Sequence, residues 1–219
     1  MEITAAKVKE LREATGLGMM ACKKALTEAN GEMEVAIDNL RKQGQATAAK
    51  RAGKAAKEGK ITIIIEGNDA LIYEVNSETD FVARNEDFIS FGEELGKLLL
   101  LKKPASLDEA KKIVSEAFDG QTVEAKLMEL IGKIGENIGF KQFKLISATD
   151  NDHIASYVHG NGRIGVVVVL SSDNKDALSS DALKDLGKDI AMQIAASNPV
   201  SIDQSGVPED IISKEKEIY

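Results

Sequence analysis

Apolar residues recur three and four positions apart in the first forty residues, in three short stretches separated by glycine-containing breaks. This spacing predicts three helices, the first with Thr4 as its N-cap, the second over 19–29 and the third over 32–42. Helices this short are not stable singly. The pattern therefore predicts a three-helix bundle at 1–44.

The next stretch, 45–60, is rich in alanine, lysine and glycine and has almost no large apolar residue. We interpret it as a basic linker that is partly helical, because alanine and lysine favour helix. The stretch also lacks the interleaved aromatic residues on which nucleic-acid bases would stack. Its composition therefore favours a linker over a nucleic-acid-binding arm.

From residue 61 the pattern changes to one typical of strands. β-Branched residues fill 61–65, a turn follows at 66–69, and apolar residues alternate with polar ones over 71–75. A second pair of strand-like runs, 154–159 and 163–170, flanks an Asn-Gly turn. Such a turn between apolar runs is the strongest short signal of a β-hairpin. The sequence thus predicts two hairpins.

Each predicted hairpin is followed by apolar stripes at helical spacing. After the first hairpin, three stripes predict helices, one of them opened by a capping box at Ser106, and a strand at 140–146 closes the unit. After the second hairpin, one stripe ends near Asn198 and no closing strand is visible. The predicted fold class is α+β, with two repeats of hairpin, helices and strand. We place the first repeat at 61–148, the incomplete second repeat at 149–208 and the start of a helical coiled-coil arm at 209–219.

The missing closing strand has a consequence for assembly. A sheet edge that is left unpaired is a template for another chain. We expect the second repeat either to expose this edge or to recruit a strand from another chain. The assemblies considered are a homodimer and a two-to-two complex with a partner protein.

Composition narrows the class of protein. The formal net charge is −8, which argues against direct binding of nucleic acid, because phosphate contacts dominate that affinity. An acidic body suits docking on another protein. The longest apolar run, within 166–170, is too short to span a bilayer, and the start lacks the pattern of a secretory signal. With one cysteine, Cys22, no internal disulfide forms, so we expect a cytoplasmic protein.

The residues do not favour an enzyme. One cysteine and two histidines do not make a zinc site of the usual Cys/His type, and we expect neither a metal nor a cofactor. The chain contains no Gly-x-Ser-x-Gly elbow, dinucleotide fingerprint or P-loop. A pair of carboxylates acting as acid and base is unsupported by any motif. We therefore expect no catalytic residues.

Two blocks carry a resemblance to a known family. Thr79-Asp80-Phe81-Val82 closes a predicted strand and opens a helix-like run, and residues 15–26 read TGLGMMACKKAL. Both blocks resemble those of elongation factor Ts, the guanine-nucleotide exchange factor for the translational GTPase elongation factor Tu. They stand in the order that the family has. The resemblance implies that the N-terminal bundle is ubiquitin-associated-like.

The resemblance also implies which residues meet the GTPase. In the family, the phenylalanine that matches Phe81 is exposed and inserts between two helices of the GTPase domain. The run Lys133-Ile134-Gly135-Glu136-Asn137 and the run Tyr157-Val158-His159-Gly160 are similar to two further family blocks. The partner-binding residues implied are Arg12, Met19, Met20, Lys23, Thr79, Asp80, Phe81, Val82, Ile134, Gly135 and His159.

Simpler interpretations stand beside these roles. On periodicity alone, Phe81 is a core aromatic residue, and at least one of Met19 and Met20 fills the core. Asp80 either caps the helix that follows, hydrogen-bonds the partner, or does both. Cys22 is expected to be a small buried apolar residue rather than a nucleophile.

The expected function is therefore guanine-nucleotide exchange on elongation factor Tu during translation elongation, with Phe81 as a wedge that disturbs the magnesium and phosphate site. The alternative is a non-catalytic scaffold that contains a ubiquitin-associated-like module. Family members continue past the point that matches residue 219 with a helical hairpin, the closing strand and a C-terminal helix. Because these parts are missing, we expect weaker binding of the GTPase. Because the surfaces at 12–23, 79–82, 134–135 and 159 are complete, we expect residual exchange activity.

Overall fold

The computed structural model describes residues 3–218, which form two compact units. The first unit contains the residues up to Ile64 together with Leu71–Leu145. The second contains Ile65–Ala70 and the residues from Ile146 onward. Both units combine helices with small sheets, which confirms the α+β class. The domain boundaries drawn from the sequence stay predictions.

The first unit begins with three helices, as predicted. They are α1 (Ala5–Thr15), α2 (Met19–Glu28) and α3 (Met33–Arg51). Thr4 caps α1 through its side-chain oxygen, which accepts a hydrogen bond from the Lys7 amide, so this prediction is confirmed. The three helices enclose one apolar cluster. Its fully buried members are Leu11, Cys22, Leu26 and Ala36.

The sequence predicted that the third helix ends at residue 42, but α3 continues to Arg51. The first seven residues of the predicted linker are therefore helical, and Ala48 among them is buried in the main core of the unit. The reason is close packing of α3 on α7 (Val123–Ile134), where Gly44 faces Gly132. A stretch of small residues reads as a linker, yet the same small residues let two helix backbones approach each other.

The main core of the first unit lies among strands and helices that follow α3. Strands β1 (Glu58–Glu66), β2 (Asp69–Ser77) and β5 (Ile138–Ser147) form a sheet in the order β1-β2-β5, which confirms the predicted hairpin and closing strand. Buried side chains of β2, β5, α5 and α7 form one continuous cluster. The helices between β2 and β5 are α4 (Asp80–Ala83), α5 (Glu86–Lys102), α6 (Leu107–Lys112) and α7.

The sequence did not predict a small strand pair between α6 and α7. Strands β3 (Val114–Ser115) and β4 (Gln121–Thr122) are antiparallel and flank a short 3₁₀ turn, Glu116–Phe118. Two residues are too few to show the alternation by which strands are recognised. The turn buries Phe118, whose ring stacks on that of Phe91 with centroids 5.5 Å apart.

Tyr73 on β2 is the buried ionisable group of this core. Its side chain is 2% exposed, and its hydroxyl donates a hydrogen bond to the Gly92 carbonyl oxygen at 2.8 Å. Burial raises the pKa of Tyr73 from 10.0 to about 12. The negative charge of Glu93 raises this pKa further, and a hydrogen bond with Thr62 works in the opposite direction.

We expect Tyr73 to reduce the stability of the protein by about 2 kcal/mol between pH 10 and pH 12. The unfolded chain releases this proton first as the pH rises, which favours unfolding, and below pH 10 the contribution is constant. Urea unfolding of the wild type and of Tyr73→Phe over this range measures the effect. The variant should be less stable at neutral pH, where it lacks the hydroxyl, and should fall less steeply above pH 10. Parallel curves for the two proteins would contradict the assignment.

The second unit contains the second predicted hairpin and its helices. Strands β6 (Asp152–His159) and β7 (Ile164–Ser171) pair antiparallel, with Ala155 opposite Val168. Within residues 3–218 this sheet has two strands, and the interpretation of the unit as an incomplete second repeat stays a prediction. The α-helices that follow among the described residues are α8 (Lys175–Ser179), α9 (Asp181–Ser197) and α10 (Glu209–Ile218). Helix α9 packs on both strands.

Candidate functional site

The short helix α4, which follows β2, turns two neighbouring side chains, Phe81 and Val82, in opposite directions. Ser77 is fully buried, and its hydroxyl donates a hydrogen bond to the Thr79 carbonyl oxygen at 2.8 Å. Four residues after Ser77, the Phe81 side chain is 80% exposed, whereas Val82 is 8% exposed and belongs to the main core. The interpretation of Phe81 as a core residue is therefore wrong. Val82 anchors the segment from inside and does not present its side chain at the surface.

Glu136 holds the backbone immediately before Phe81. Its two carboxylate oxygens accept hydrogen bonds from the Thr79 amide at 3.0 Å and from the Thr79 hydroxyl at 2.8 Å. In the reverse direction, the Glu78 carboxylate accepts a hydrogen bond from the Asn137 amide at 2.6 Å. These contacts join two stretches that are almost sixty residues apart in the sequence, and they bring the Phe81 segment beside the end of α7.

Ile134 and Gly135 lie at this end of α7. Gly135 is the C-cap of the helix with a φ of 84°, a left-handed conformation that glycine adopts readily. Glu136 and Asn137 come directly after it. The structure therefore places the predicted Ile134–Gly135 surface next to Thr79.

Asp80 does not cap a helix, contrary to one of the two roles predicted for it. It lies in the first turn of α4, and its carboxylate accepts a hydrogen bond from Arg84 at 3.1 Å, within an exposed ion pair. The N-cap of α5 is Asn85, whose side chain accepts hydrogen bonds from the Asp87 and Phe88 amides. The other role predicted for Asp80, a hydrogen bond to a partner, stays a prediction.

Met19 and Met20 occupy the first turn of α2 and are 46% and 76% exposed. The prediction that one of them fills the core is therefore wrong; Cys22, which is fully buried, occupies that place, as predicted for it. Lys23 is exposed on the same helix, and Arg12 is exposed in the last turn of α1. The start of α2 thus presents two flexible apolar side chains near basic ones, a combination suited to protein contacts.

Lys133 connects this part of the bundle to α5 and α7. Its ammonium nitrogen lies 2.7 Å from a carboxylate oxygen of Asp87, in the first turn of α5. The end of the same side chain covers Gly16, where an added Cβ would lie 2.7 Å from that nitrogen. Through Lys133 and Glu136, the Gly16 turn, the start of α5, the Phe81 segment and the end of α7 belong to one connected part of the first unit.

One comparison with known proteins bears on this site. A family model described as elongation factor TS matches residues 78–219, about two thirds of the chain. The chain belongs to the elongation factor Ts family. The match begins at Glu78, directly before the segment that exposes Phe81, and it includes Ile134, Gly135 and His159.

Membership of the elongation factor Ts family implies the role of a guanine-nucleotide exchange factor for elongation factor Tu in translation elongation. Proteins of this family are exchange factors rather than catalytic enzymes. The residues of α1 and α2 lie before the matched range. Their assignment to the GTPase-binding surface rests on the similarity of the block at 15–26.

Of the predicted partner-binding residues, His159 is the one that belongs to the second unit. It ends β6 and is exposed, with its Nδ1 atom 2.9 Å from the Tyr157 hydroxyl oxygen. The loop that follows, 160–163, begins with three successive residues with positive φ. The hairpin thus closes with a longer loop than the two-residue turn typical of Asn-Gly, and this loop starts directly after His159.

The remaining features of the elongation factor Ts chain concern other kinds of site. No group of three or more His, Cys, Asp or Glu side chains within residues 3–218 is arranged to hold a metal ion. Over the same residues, no helix has both the length and the apolar character needed to cross a membrane.

A cleft of about 300 Å³ lies between the bundle and α7, with a mixed polar and apolar lining that includes Leu17, Arg41 and Glu129.

Two residues of the site had no role in the sequence interpretation. Glu136 and Lys133 both lie in the family-like run at 133–137, but periodicity says nothing about long-range partners. Glu136 bonds Thr79, and Lys133 bonds Asp87, across 57 and 46 residues of sequence. The one sequence signal that could have identified them as site residues is that both lie in a run similar to a family block.

Proposed function

We propose that this chain docks on elongation factor Tu and accelerates the release of GDP by inserting the Phe81 ring between helices of the GTPase. Contacts beside the ring come from the start of α2 and the end of α7, in the cytoplasm and without direct binding of nucleic acid. Val82 supports the segment from the core. The proposed contact residues are Arg12, Met19, Met20, Lys23, Thr79, Asp80, Phe81, Ile134, Gly135 and, on the second unit, His159.

The observation that carries this proposal is the exposure of Phe81. A phenylalanine that is 80% exposed forgoes most of the roughly 1.5–3 kcal/mol that burial would contribute to stability. The ring is large and rigid, so inserting it into a partner brings much contact area at little cost in rotamer freedom. Because α4 turns Val82 inward, its neighbour Phe81 is held outward on a short, anchored turn.

The energetics of exchange explain why a wedge is effective. A translational GTPase holds its nucleotide through phosphate contacts and a magnesium ion, and nanomolar affinity for GDP corresponds to about 12 kcal/mol. An exchange factor accelerates release only if it binds the nucleotide-free form better than the loaded form. A ring that displaces the helices supporting the phosphate and magnesium site provides this difference. By reciprocity, a nucleotide that rebinds weakens the factor's hold.

We expect Phe81→Ala to lower the stimulated rate of GDP release by at least about tenfold, which is 1.4 kcal/mol of coupling. The measurement follows a fluorescent GDP analogue leaving elongation factor Tu in magnesium buffer as the chain is added. Leu101→Ala is the matched control, since Leu101 is also exposed (76%) and lies near the far end of α5, about 21 Å along the helix from Asp87.

The outcomes separate the proposal from its rival. The wedge is supported if the wild type and Leu101→Ala accelerate GDP release, whereas Phe81→Ala loses this acceleration and unfolds with the same free energy as the wild type. Equal stimulation by all three proteins would exclude a role for the ring. Binding of the GTPase without any acceleration by the wild type would favour the non-catalytic scaffold.

A further inference from the structure

Thr79 is the point at which the structure fixes the direction of Phe81. It is the N-cap of α4, a helix of four residues that is too short to be stable by itself. Its side chain accepts no cap bond from α4, and its hydroxyl donates a hydrogen bond to Glu136. The start of this turn is therefore set by contacts from outside the helix.

Glu136 supplies those contacts at two points. One oxygen of its carboxylate accepts from the Thr79 amide and the other from the Thr79 hydroxyl, at 3.0 Å and 2.8 Å. A hydrogen bond to an ionised acceptor is stronger than one between neutral groups, and two of them in parallel fix orientation as well as position. The hydrogen bond from the Thr79 amide holds the backbone, and the hydrogen bond from the Thr79 hydroxyl holds the side chain of the same residue.

A second contact holds the same backbone from the other side. The Glu78 carboxylate accepts from the Asn137 amide at 2.6 Å and lies 3.4 Å from the Arg51 guanidinium at the end of α3. Residues 78–79 and 136–137 are thus joined by two carboxylates, since Glu136 accepts from Thr79 and Glu78 accepts from Asn137. We call these four residues the clasp.

We propose that Glu136 is a positioning residue for nucleotide exchange, which acts by holding Thr79 so that Phe81 stands in a fixed, exposed orientation. The proposal rests on the proposed function of Phe81 as the wedge. A ring that is already fixed loses less freedom on binding than one on a mobile turn. The role of Glu136 is then pre-organisation of Phe81 rather than contact with the partner.

The test uses the full chain with Glu136→Ala, Glu136→Gln and the control Glu129→Ala. Glu129 lies on α7 and also has two side-chain partners, Gln121 and Lys126, but neither is near the Phe81 turn in sequence. We expect Glu136→Ala to slow stimulated GDP release by about tenfold. Glu136→Gln should retain most of the rate, since a glutamine oxygen accepts from the Thr79 amide and its NH₂ group donates to the hydroxyl. Glu129→Ala should retain the wild-type rate.

A double-variant cycle with Phe81→Ala separates positioning from other roles. If Glu136 acts through the ring, Glu136→Ala has no further effect on exchange in a Phe81→Ala background. An equal loss in both backgrounds would overturn the proposal, because it would mean direct contact or general damage to the fold. If Glu136→Ala slows GDP release while Phe81→Ala releases GDP at the wild-type rate, the proposed role of Phe81 as a wedge is wrong.

Hydrogen exchange of the chain alone gives a readout that does not depend on the GTPase. We expect Glu136→Ala to speed exchange of the Thr79 amide while amides of the core helix α5 keep their protection. An unchanged Thr79 amide would show that the clasp does not hold this turn. Failure at this step overturns the positioning role and leaves the wedge standing.

Discussion

Replacing Gly132 with alanine is expected to lower the free energy of unfolding by about 2–3 kcal/mol. A Cβ on Gly132 would lie 2.5 Å from the Cα of Gly44, a backbone atom of the helix that packs on α7. That separation is far below a van der Waals contact, so α3 and α7 must move apart. Because α3 belongs to the bundle and α7 ends at Ile134, the same change should also disturb the proposed docking surface.

The matched control for Gly132 is its own partner. A Cβ on Gly44 would lie 3.7 Å from the Cα of Gly132, an ordinary contact, and alanine is the better helix former. Gly44→Ala should therefore be neutral or slightly stabilising, although it adds the same methyl group to the same interface. Urea unfolding of the two variants measures the contrast. Similar stabilities would show that the helices do not pack through these glycines.

Replacing Gly59 with alanine is expected to be the most damaging single change considered, with a loss of about 3–4 kcal/mol. Gly59 on β1 has a φ of 140°, a conformation that residues with a side chain rarely adopt. A Cβ there would lie 2.3 Å from the Val75 carbonyl oxygen and 2.5 Å from the Asn76 Cα, both in the neighbouring strand. Neither backbone strain nor the clash is relieved by a change of rotamer.

The appropriate comparison is Gly53→Ala, six residues earlier. A Cβ on Gly53 would meet nothing within 4 Å, and its φ is not positive. We expect this variant to unfold within about 0.5 kcal/mol of the wild type in a denaturant titration. A Gly59→Ala protein as stable as Gly53→Ala would mean that β1 passes Val75 differently from the arrangement described above.

The sequence was sufficient to predict most of the regular elements. The apolar stripes of α5 and α7 and the strand-like runs of β1, β2, β6 and β7 are long enough to be recognised, and caps such as Thr4 and Ser106 have local signatures. The end of α3 was missed because its packing depends on Gly44 and Gly132, whose small size carries no apolar signal. Tertiary packing decided there what local composition did not.

The candidate site was predictable only in part and through resemblance. Periodicity assigned Phe81 and one methionine to the core, and both assignments were wrong. The family blocks indicated which residues to consider, and Phe81, Met19 and Met20 are exposed. The contacts that organise the surface, Glu136 with Thr79 and Lys133 with Asp87, join residues remote in sequence. No local pattern encodes such pairs.

The burial of Cys22 makes this chain convenient for labelling. It is the single cysteine in the sequence, and it is fully shielded from solvent inside the bundle. A maleimide dye added to the folded wild type should therefore find no reactive thiol. A cysteine introduced at an exposed position such as Leu101 would carry one fluorophore at a known place, with no native residue to remove first.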